Sequence, residues 1–421
     1  MYFWVILMNS SFDLKNILSS LSTALDFTYS GISSHHKRVA LMSLKLGRKI
    51  GLPQHRIKNL FISALIHDIG AISMREKENL GELEILDPYA HSEMGYRMVK
   101  KIKFLEPVSS IVRSHHDAWR GDNPSGLSGD GIPLESRIIN SVDRLDVLIN
   151  QRRDILEQPP KILRRLNSIA GTIIDPDIFV ELADLAGAEG FWLDLQYEFL
   201  SDLLCAHAEN FEITIENNML VDISLLFASV IDKKSLFTHR HSRLVAASAF
   251  KMAGISGFST EDSNKMLVAG LLHDLGKLAV PEEILEKTDR LSPEEFRQIK
   301  RHTYYTHRIL DKIAGFEEIN RWASFHHEKM DGSGYPFRLK GQSIPIPSRY
   351  MAVSDVFSAL AENRPYRRGL PGDKIMGILD DMSGSALDPQ AVKLLKDNYR
   401  SFEELLEYED PLGQAQYGLK V

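Results

Sequence analysis

The order of histidines and aspartates along this chain occurs twice, and this duplication strongly limits the folds available to it. The first half contains His35, His67-Asp68, His91, His115-His116 and Asp143, and the second contains His241, His273-Asp274, His302, His326-His327 and Asp355. Corresponding positions are 206, 206, 211, 211 and 212 residues apart, so two small insertions separate the copies. Ten of the 15 histidines lie in these sets. The chain therefore contains two copies of one structural unit.

Apolar residues recur at three- and four-residue steps through most of the sequence, which predicts helices. The clearest stretches are 36–50, 57–66, 262–272, 294–313 and 389–397. Alternating, strand-like runs are rare, and 211–215 is the best candidate. We therefore predict an all-α fold with two tandem helical domains. The predicted boundaries are 1–190 for the first domain, 191–220 for a connecting segment with an apolar helix that packs between the halves, and 221–421 for the second domain.

Composition excludes several classes of function. The chain has 421 residues, enough for two cores, and a formal charge of −7, which gives no support for a nucleic-acid groove. Its one cysteine, Cys205, excludes an internal disulfide and a cysteine-based metal site, and it suits a cytoplasmic protein. The apolar start, residues 1–8, is too short to span a bilayer, so no stable membrane insertion is expected.

The residue types in each copy are those that bind divalent transition metals. An isolated His-Asp pair such as His273-Asp274 is compatible with a structural role, but its repetition with five further ligand-type residues favours a metal site. Seven groups are too many for one ion and suit two ions with a shared ligand. Asp274 is the natural bridge because a carboxylate has two oxygens. Two such ions activate water and hold a phosphoryl group, and the nitrogen and oxygen ligands allow iron, manganese, zinc, nickel or cobalt.

Several residues near the second set are candidates for substrate contact. Lys277 follows His273 by four residues, and it is either a group that neutralises developing negative charge or a solvated surface lysine. Tyr335, in the loop Gly334-Tyr335-Pro336, is either part of a plain turn or part of a lid that contacts a base or phosphate. Arg364 and Arg367 either bind phosphate or guanine edges or form an exposed basic helix end.

Together, the motifs at 273–277, 326–328, 334–336 and 364–367 resemble the HD-GYP family of the HD superfamily of metal-dependent phosphohydrolases, over about residues 228–400. The resemblance implies an all-α fold and hydrolysis of cyclic di-GMP to linear pGpG, to GMP, or to both. It also implies iron or manganese as the usual metals and substrate contacts by Lys277, Tyr335, Arg364 and Arg367. The implied catalytic residues are Asp274 and Lys277. The implied metal ligands are His241, His273, Asp274 and Asp355 for one ion, and Asp274, His302, His326 and His327 for the other.

The second copy departs from the family pattern at three places. Phe237 stands where some members have a glutamate that binds a third metal, so two metals are expected. Residues 303–306 replace the usual Pro-Glu-x-Gly. Ser358 stands where an aspartate is common.

The first copy resembles a divergent HD domain. It retains the seven ligand-type residues of a second candidate metal site, which are His35, His67, Asp68, His91, His115, His116 and Asp143. Ala71 replaces the lysine, and its loop 121–126 has no tyrosine. We therefore expect the C-terminal copy to perform the reaction, with the N-terminal copy regulatory or metal-binding.

Three other functions remain open at this point. The enzyme could act on another cyclic dinucleotide such as cyclic GMP-AMP, or be a general nucleotide phosphohydrolase. The third alternative is a catalytically silent scaffold that binds a cyclic dinucleotide. The candidate protein partners are signalling proteins bound through the Gly-Tyr-Pro loop and a second copy of the chain in a homodimer.

Overall fold

Helices form almost all the regular structure in the residues that the computed structural model describes. These residues are 12–27, 34–71, 89–208, 211, 214–234, 240–363, 368–408 and 410–412. Two short strands, Phe12–Asp13 and Thr214–Ile215, pair in a two-stranded sheet. The all-α prediction is thus confirmed. Within the described residues, no helix is long and apolar enough to cross a membrane.

The chain divides into two compact units, one of residues Asp13–Ile213 and the other of Thr214–Val421 with Met1–Phe12. The described helices of the first, N-terminal unit are α1 (Leu14–Asp26), α2 (His35–Lys49), α3 (Gln54–Ile66), α4 (Tyr89–Val99), α5 (Glu106–Arg113), α6 (Leu134–Val147), α7 (Pro159–Asn167), α8 (Pro176–Leu185), α9 (Glu189–Leu193) and α10 (Tyr197–His207). Helices α2, α3 and α6 pack on one another and form the centre of this unit.

The C-terminal unit repeats this arrangement. Its described helices are α11 (Asn217–Lys234), α12 (His241–Ile255), α13 (Thr260–Leu272), α14 (Glu282–Leu285), α15 (Pro293–Leu310), α16 (Glu317–Ser324), α17 (Ile346–Ala361), α18 (Gly372–Met382), α19 (Pro389–Asp397) and α20 (Tyr399–Glu403). Helices α12, α13 and α17 pack together as α2, α3 and α6 do. Their core includes Leu244, Leu267 and Phe357.

Local capping explains where several of these helices begin. At the start of α15 the Ser292 side chain accepts a hydrogen bond from the Glu295 backbone N–H, and the Glu295 carboxylate accepts one from the Ser292 backbone N–H. Pro293 occupies the first helical turn, where its missing N–H costs nothing. Such a capping box contributes about 1 kcal/mol.

The duplication extends to ion pairs far from the histidines. Asp175 caps α8 and accepts from Arg137 at 2.8 Å, whereas Asp388 caps α19 and accepts from Arg349 at 2.8 Å. Both aspartates are almost fully buried. The two copies therefore share this capping ion pair as well as their ligand-type residues.

Residues 191–213, which we assigned to the connecting segment, belong to the N-terminal unit. The expected apolar helix is divided into α9 and α10, separated at residues 194–196. Trp192 is buried and its indole N–H donates to the Ala186 carbonyl at 2.8 Å, while α10 packs on α2. Burial of these apolar side chains stabilises the packing of α9 and α10 in the first unit.

Candidate metal centres

The seven ligand-type residues of the second copy lie at the ends or on the inner faces of five helical segments. His241 is the first residue of α12, and His273-Asp274 directly follow α13. His302 lies in α15, His326-His327 follow α16, and Asp355 lies in α17. The α12–α13–α17 packing places the first, second and fifth of these segments side by side.

Asp274 lies between two groups of histidines. Its Oδ2 is 3.1 Å from His273 Nε2 and 3.9 Å from His241 Nε2. Its other oxygen, Oδ1, is 3.4 Å from His302 Nε2 and 3.9 Å from His326 Nε2. Each oxygen thus faces a different group, which is the arrangement expected of a bridging carboxylate.

Each group is completed by one further residue. Asp355 Oδ1 is 3.1 Å from His241 Nε2 and 4.0 Å from His273 Nε2, so it joins the first group. His327 joins His302 and His326, with one nitrogen of each ring within 4.8 Å of the others. The structure therefore brings all seven predicted ligands together.

The hydrogen bonds of the histidine rings fit a metal pair. The rings of His273, His302 and His326 each place Nδ1 2.6–2.7 Å from the carbonyl oxygen three residues earlier. Since Nδ1–H donates there, each Nε2 carries a lone pair toward the centre. His302 Nε2 and His326 Nε2 lie 3.4 Å apart, and neither can donate to the other. A cation between such lone pairs removes their repulsion.

Burial keeps the second group of imidazoles in the form that binds metal. It lowers the pKa of His302 to about 3 and also lowers the pKa values of His326 and His327. Among the described residues, His273 Nε2 and Asp274 Oδ1 are buried without a hydrogen-bond partner. Unsatisfied buried polar atoms are costly, and coordination of a divalent ion would satisfy both.

The carboxylates of the site stay ionised. Burial alone would raise the pKa of Asp274, but His273 and Lys277 hold it well below its ordinary value. Burial likewise acts to lower the pKa of His241, yet the Asp355 and Glu362 carboxylates raise it to about 10. A metal ion that binds His241 must therefore displace a proton.

A glycine and a threonine bring α15 against the His-Asp turn. A methyl group added at Gly276 would lie 2.0 Å from the His302 carbonyl oxygen, so only glycine fits there. The Gly276 N–H donates to Thr306 Oγ1 at 2.9 Å, and this hydroxyl donates to the His273 carbonyl at 3.1 Å. Thr306 belongs to the stretch that departs from the family pattern, and its contacts support the turn that carries two ligands.

Two of the predicted substrate-contacting residues lie beside the ligands. Lys277 Nζ is 2.5 Å from Asp274 Oδ2, and its side chain is one quarter exposed. The Tyr335 ring lies 4.9 Å from the His327 ring, and burial raises the pKa of its hydroxyl, which stays protonated. Arg364 and Arg367 lie outside the described residues, as does Phe237, which replaces the third-metal glutamate of some family members.

The carboxylate that orients His241 has changed position between the copies. In the first copy Asp146 accepts from His35 Nδ1 at 2.8 Å and also pairs with Arg38. In the second copy the corresponding positions are Ser358 and Leu244, both fully buried. Glu362, at the end of α17 and one turn beyond Ser358, contacts His241 Nδ1 at 3.1 Å instead. Glu362 was not among the predicted site residues, although Ser358 at the position of Asp146 indicated that the first copy's contact is absent here.

We predict that Glu362→Ala weakens metal binding by the second copy. Carboxylates that orient a metal-binding histidine typically contribute about 10–100-fold to metal affinity, so titration of metal-free protein should show a loss of that size. Adding Leu244→Arg and Ser358→Asp to this variant recreates the first copy's arrangement and should recover most of the affinity. A Glu362→Ala protein with unaltered metal affinity would contradict this role.

The first copy contains an arrangement of the same kind. Asp68 Oδ1 is 3.3 Å from His91 Nε2 and 3.4 Å from His115 Nε2, while Oδ2 is 3.5 Å from His67 Nε2. Asp143 Oδ1 is 3.3 Å from His35 Nε2. The equivalent of Gly276 is Gly70, where an added methyl would lie 2.0 Å from the His91 carbonyl oxygen.

The first copy differs in exposure and in its surroundings. Its seven ligand-type residues, with His116 as the last member of the second group, are all buried. In the second copy His327 and Asp355 are partly exposed, so that site opens to solvent. Ala71, which replaces the lysine, is itself buried. The first copy thus keeps the ligands and has an alanine at the position of Lys277.

Comparison with known proteins agrees with this duplication. The HD domain family matches residues 19–178 and 226–391, one match in each copy. The chain belongs to the HD domain family. The predicted resemblance to HD-type proteins, with a GYP-type C-terminal copy, is confirmed.

The relatives fall into two groups. Two Vibrio cholerae proteins, 3'3'-cGAMP-specific phosphodiesterases 1 and 3, are 28% and 27% identical and match 95% and 92% of this chain and 95% of their own lengths. A cyclic di-GMP phosphodiesterase of Thermotoga maritima is 33% identical over 45% of this chain and 52% of its own.

One solved structure shows the same fold over almost the whole chain. The crystal structure of a cyclic GMP-AMP specific phosphodiesterase from V. cholerae aligns with a TM-score of 0.67 and 24% identity. The alignment covers 93% of this chain and 98% of that one. The tandem all-α architecture is therefore shared with a known protein.

Proposed function

We propose that this chain is a cyclic-dinucleotide phosphodiesterase whose C-terminal unit hydrolyses the substrate at the centre around Asp274. The observation that carries the proposal is the complete ligand set joined to Lys277, which lies 2.5 Å from the bridging carboxylate. The named activities of the relatives support the same class of reaction. The ligand set fits two divalent ions, and the family resemblance favours iron or manganese.

The bound metals would supply an activated water and neutralise charge on the reacting phosphate. His241, His273, Asp274 and Asp355 would hold one ion, and Asp274, His302, His326 and His327 the other. Lys277 lies where its ammonium group can stabilise negative charge that develops on phosphate oxygens. The protonated Tyr335 hydroxyl, beside the ligand His327, can donate a hydrogen bond to the substrate.

The preferred substrate in our proposal is 3'3'-cyclic GMP-AMP, which was an alternative to cyclic di-GMP in the sequence analysis. The reason is coverage: the two relatives matched over both copies are named for cyclic GMP-AMP. The T. maritima relative named for cyclic di-GMP matches less than half of the chain. Cyclic di-GMP is the second candidate because this relative has the higher identity, 33%, over its matched part.

Parallel turnover measurements test the proposal. Protein purified without oxygen and loaded with iron or manganese should convert cyclic GMP-AMP to a linear dinucleotide. Its kcat/KM for this substrate should exceed that for cyclic di-GMP by about tenfold or more, equivalent to about 1.4 kcal/mol. A reversed ratio would exchange the two candidates. Hydrolysis of neither substrate by metal-loaded protein would reject the proposed function.

We also propose that the first copy binds metal without contributing to turnover. In its Asp68-centred groups, as around Asp274, each carboxylate oxygen faces a different group of histidines. Both ring nitrogens of His116 are buried without a hydrogen-bond partner among the described residues. The absence of a lysine at Ala71 removes a cation that would stabilise negative charge on a phosphate. Regulation or stability is then the role of this site.

Metal content separates the alternatives for the first copy. Protein purified without oxygen should contain about four metal ions per chain if each copy binds a pair, as the bridging geometry implies. Elemental analysis against protein concentration gives this ratio directly. A value that saturates at two in the presence of excess metal would show that the first copy binds none.

A further inference from the structure

A cleft of about 740 Å³ adjoins the Gly-Tyr-Pro loop of the C-terminal unit. One wall is the solvent-facing side of α15, and the other is the loop that contains Tyr335. The Tyr335 ring lies 4.9 Å from the ligand His327 on one side and 6.3 Å from Phe296 on the other. Tyr335 therefore stands between the ligand His327 and Phe296, and both Tyr335 and Phe296 line the cleft.

The cleft is lined by cationic side chains and by no acidic ones. The five cations are Arg297, Lys300, Arg301, Lys329 and Arg338. Arg297 pairs with Glu294 at the surface, and Lys300 lies 5.3 Å above the Phe296 ring. The other three have no acidic partner within 4 Å in the described part of the chain. In a protein with a net charge of −7, such a concentration of positive charge favours an anionic ligand.

Aromatic rings stand beside these cations. Phe296 and Tyr304, one on each side of the basic stretch of α15, are 45% and 46% exposed. Large exposed rings next to cations are the combination that binds nucleotides, because bases stack on the rings and phosphates pair with the cations. A surface that served only solubility would not need these rings.

The first copy provides an internal comparison. At the histidine offset of 211, the positions of the first four cations are occupied by Leu86, Tyr89, Ala90 and Ala118. At the offset of 212 set by Asp143 and Asp355, Gly126 occupies the position of Arg338. Not one of these is cationic, although the ligand-type residues of the two copies are identical. The cations therefore accompany Lys277 and Tyr335, which are the other features found only in the second copy.

The backbone of Arg338 has a left-handed conformation. It has a φ of 56°, whereas Gly126, its counterpart, has a φ of 77°. A non-glycine residue in this left-handed region costs about 1 kcal/mol or more. The second copy thus carries a strained arginine where the first copy has an unstrained glycine, which indicates that its side chain has a use at this position.

We propose that this basic cleft binds the part of a cyclic dinucleotide that lies away from the metal centre. A cyclic dinucleotide has two phosphodiesters on opposite sides of its ring. When one lies at the metal ligands, the cations of the cleft hold the other, and a purine stacks on Phe296 or Tyr304. This inference rests on the proposed function, since it names a binding region for that substrate.

Charge removal tests the cleft. The variant Lys300→Ala, Arg301→Ala, Arg338→Ala should bind cyclic GMP-AMP about 10–100-fold more weakly by calorimetry, with a reduced dependence of affinity on salt. Its KM should rise by a similar factor. Its metal content and its hydrolysis of bis(p-nitrophenyl) phosphate, a diester with no second phosphate, should not change.

A matched variant controls for net charge. Arg308, Lys393 and Arg400 are exposed cations of the same unit outside the cleft, and changing all three to alanine should leave nucleotide affinity unaltered. Equal affinity loss in both variants, or none in the cleft variant, would overturn the cleft assignment. Binding is measured separately from turnover, so the two proposals can fail independently. If the wild-type protein binds cyclic GMP-AMP without hydrolysing it, the proposed function is rejected, and the binding measurements on the two variants still test the cleft.

Discussion

Lys277→Ala should reduce turnover of the cyclic dinucleotide by about 10²–10³-fold, equivalent to about 2.7–4 kcal/mol of transition-state stabilisation. The expected loss is in kcat, because Lys277 lies 2.5 Å from Asp274 and would act on charge that develops during the reaction. Metal content should not fall. Removal of a cation beside the bridging carboxylate lowers the electrostatic cost of placing divalent ions there. Steady-state kinetics and elemental analysis on the same preparation measure both effects.

The control for this experiment is another lysine that pairs with a carboxylate. Lys393 contacts Asp397 at 2.6 Å on the exposed face of α19, and Lys393→Ala should leave both kcat and metal content unchanged. A Lys277→Ala protein with normal turnover would remove the lysine from the mechanism. Loss of metal together with turnover would instead assign Lys277 a structural role in the metal centre.

Much of the site could be predicted because the ligands occur as a repeated order with nearly constant spacing. Spacing alone identifies His35 with His241 and Asp143 with Asp355, without knowledge of any helix. The sequence could not reveal which oxygen of Asp274 faces which histidines, since that depends on how α12, α13 and α15 pack. The order of the motifs therefore predicts which residues belong to the site. The packing of the helices determines which of these residues face each other.

The contacts made by residues that depart from the family pattern, or that lie near such departures, could not be predicted from the sequence. Ser358 stands at the place of a common aspartate, and Glu362 contacts His241 Nδ1 from one turn further along the chain. Thr306, another departure, hydrogen-bonds both Gly276 and His273. Glu362 thus contacts the histidine from a different position, which a position-by-position comparison of motifs does not detect.

The basic cleft also could not be predicted from the sequence. Arg301 and Arg338 are 37 residues apart in sequence, and each on its own is an ordinary surface arginine. Only the packing of the Gly-Tyr-Pro loop beside α15 brings them to one surface with Tyr335. Division of the expected connecting helix into α9 and α10 likewise depends on which apolar side chains find a partner, and the periodicity of the sequence does not specify this.

Asp274→Asn should abolish turnover, with a loss of about 10³-fold or more, which corresponds to about 4 kcal/mol. An asparagine offers one neutral oxygen in place of a charged carboxylate whose two oxygens face His273 and His302. We therefore expect the variant to lose both metal ions of the second copy. Elemental analysis should show a decrease of about two ions per chain, and a thermal unfolding measurement in metal-free buffer checks that the protein still folds.

The equivalent change in the first copy separates the two sites. Asp68 has the same position between His67 and His91, at 3.5 and 3.3 Å, so Asp68→Asn should also remove about two metal ions. Turnover should remain, because the first copy has Ala71 in place of Lys277 and no counterpart of Tyr335 or of the basic cleft. Loss of turnover in Asp68→Asn without unfolding would show that the first copy controls the second. Retained metal in Asp274→Asn would mean that the carboxylate does not bridge, because the remaining histidines would then suffice to hold both ions.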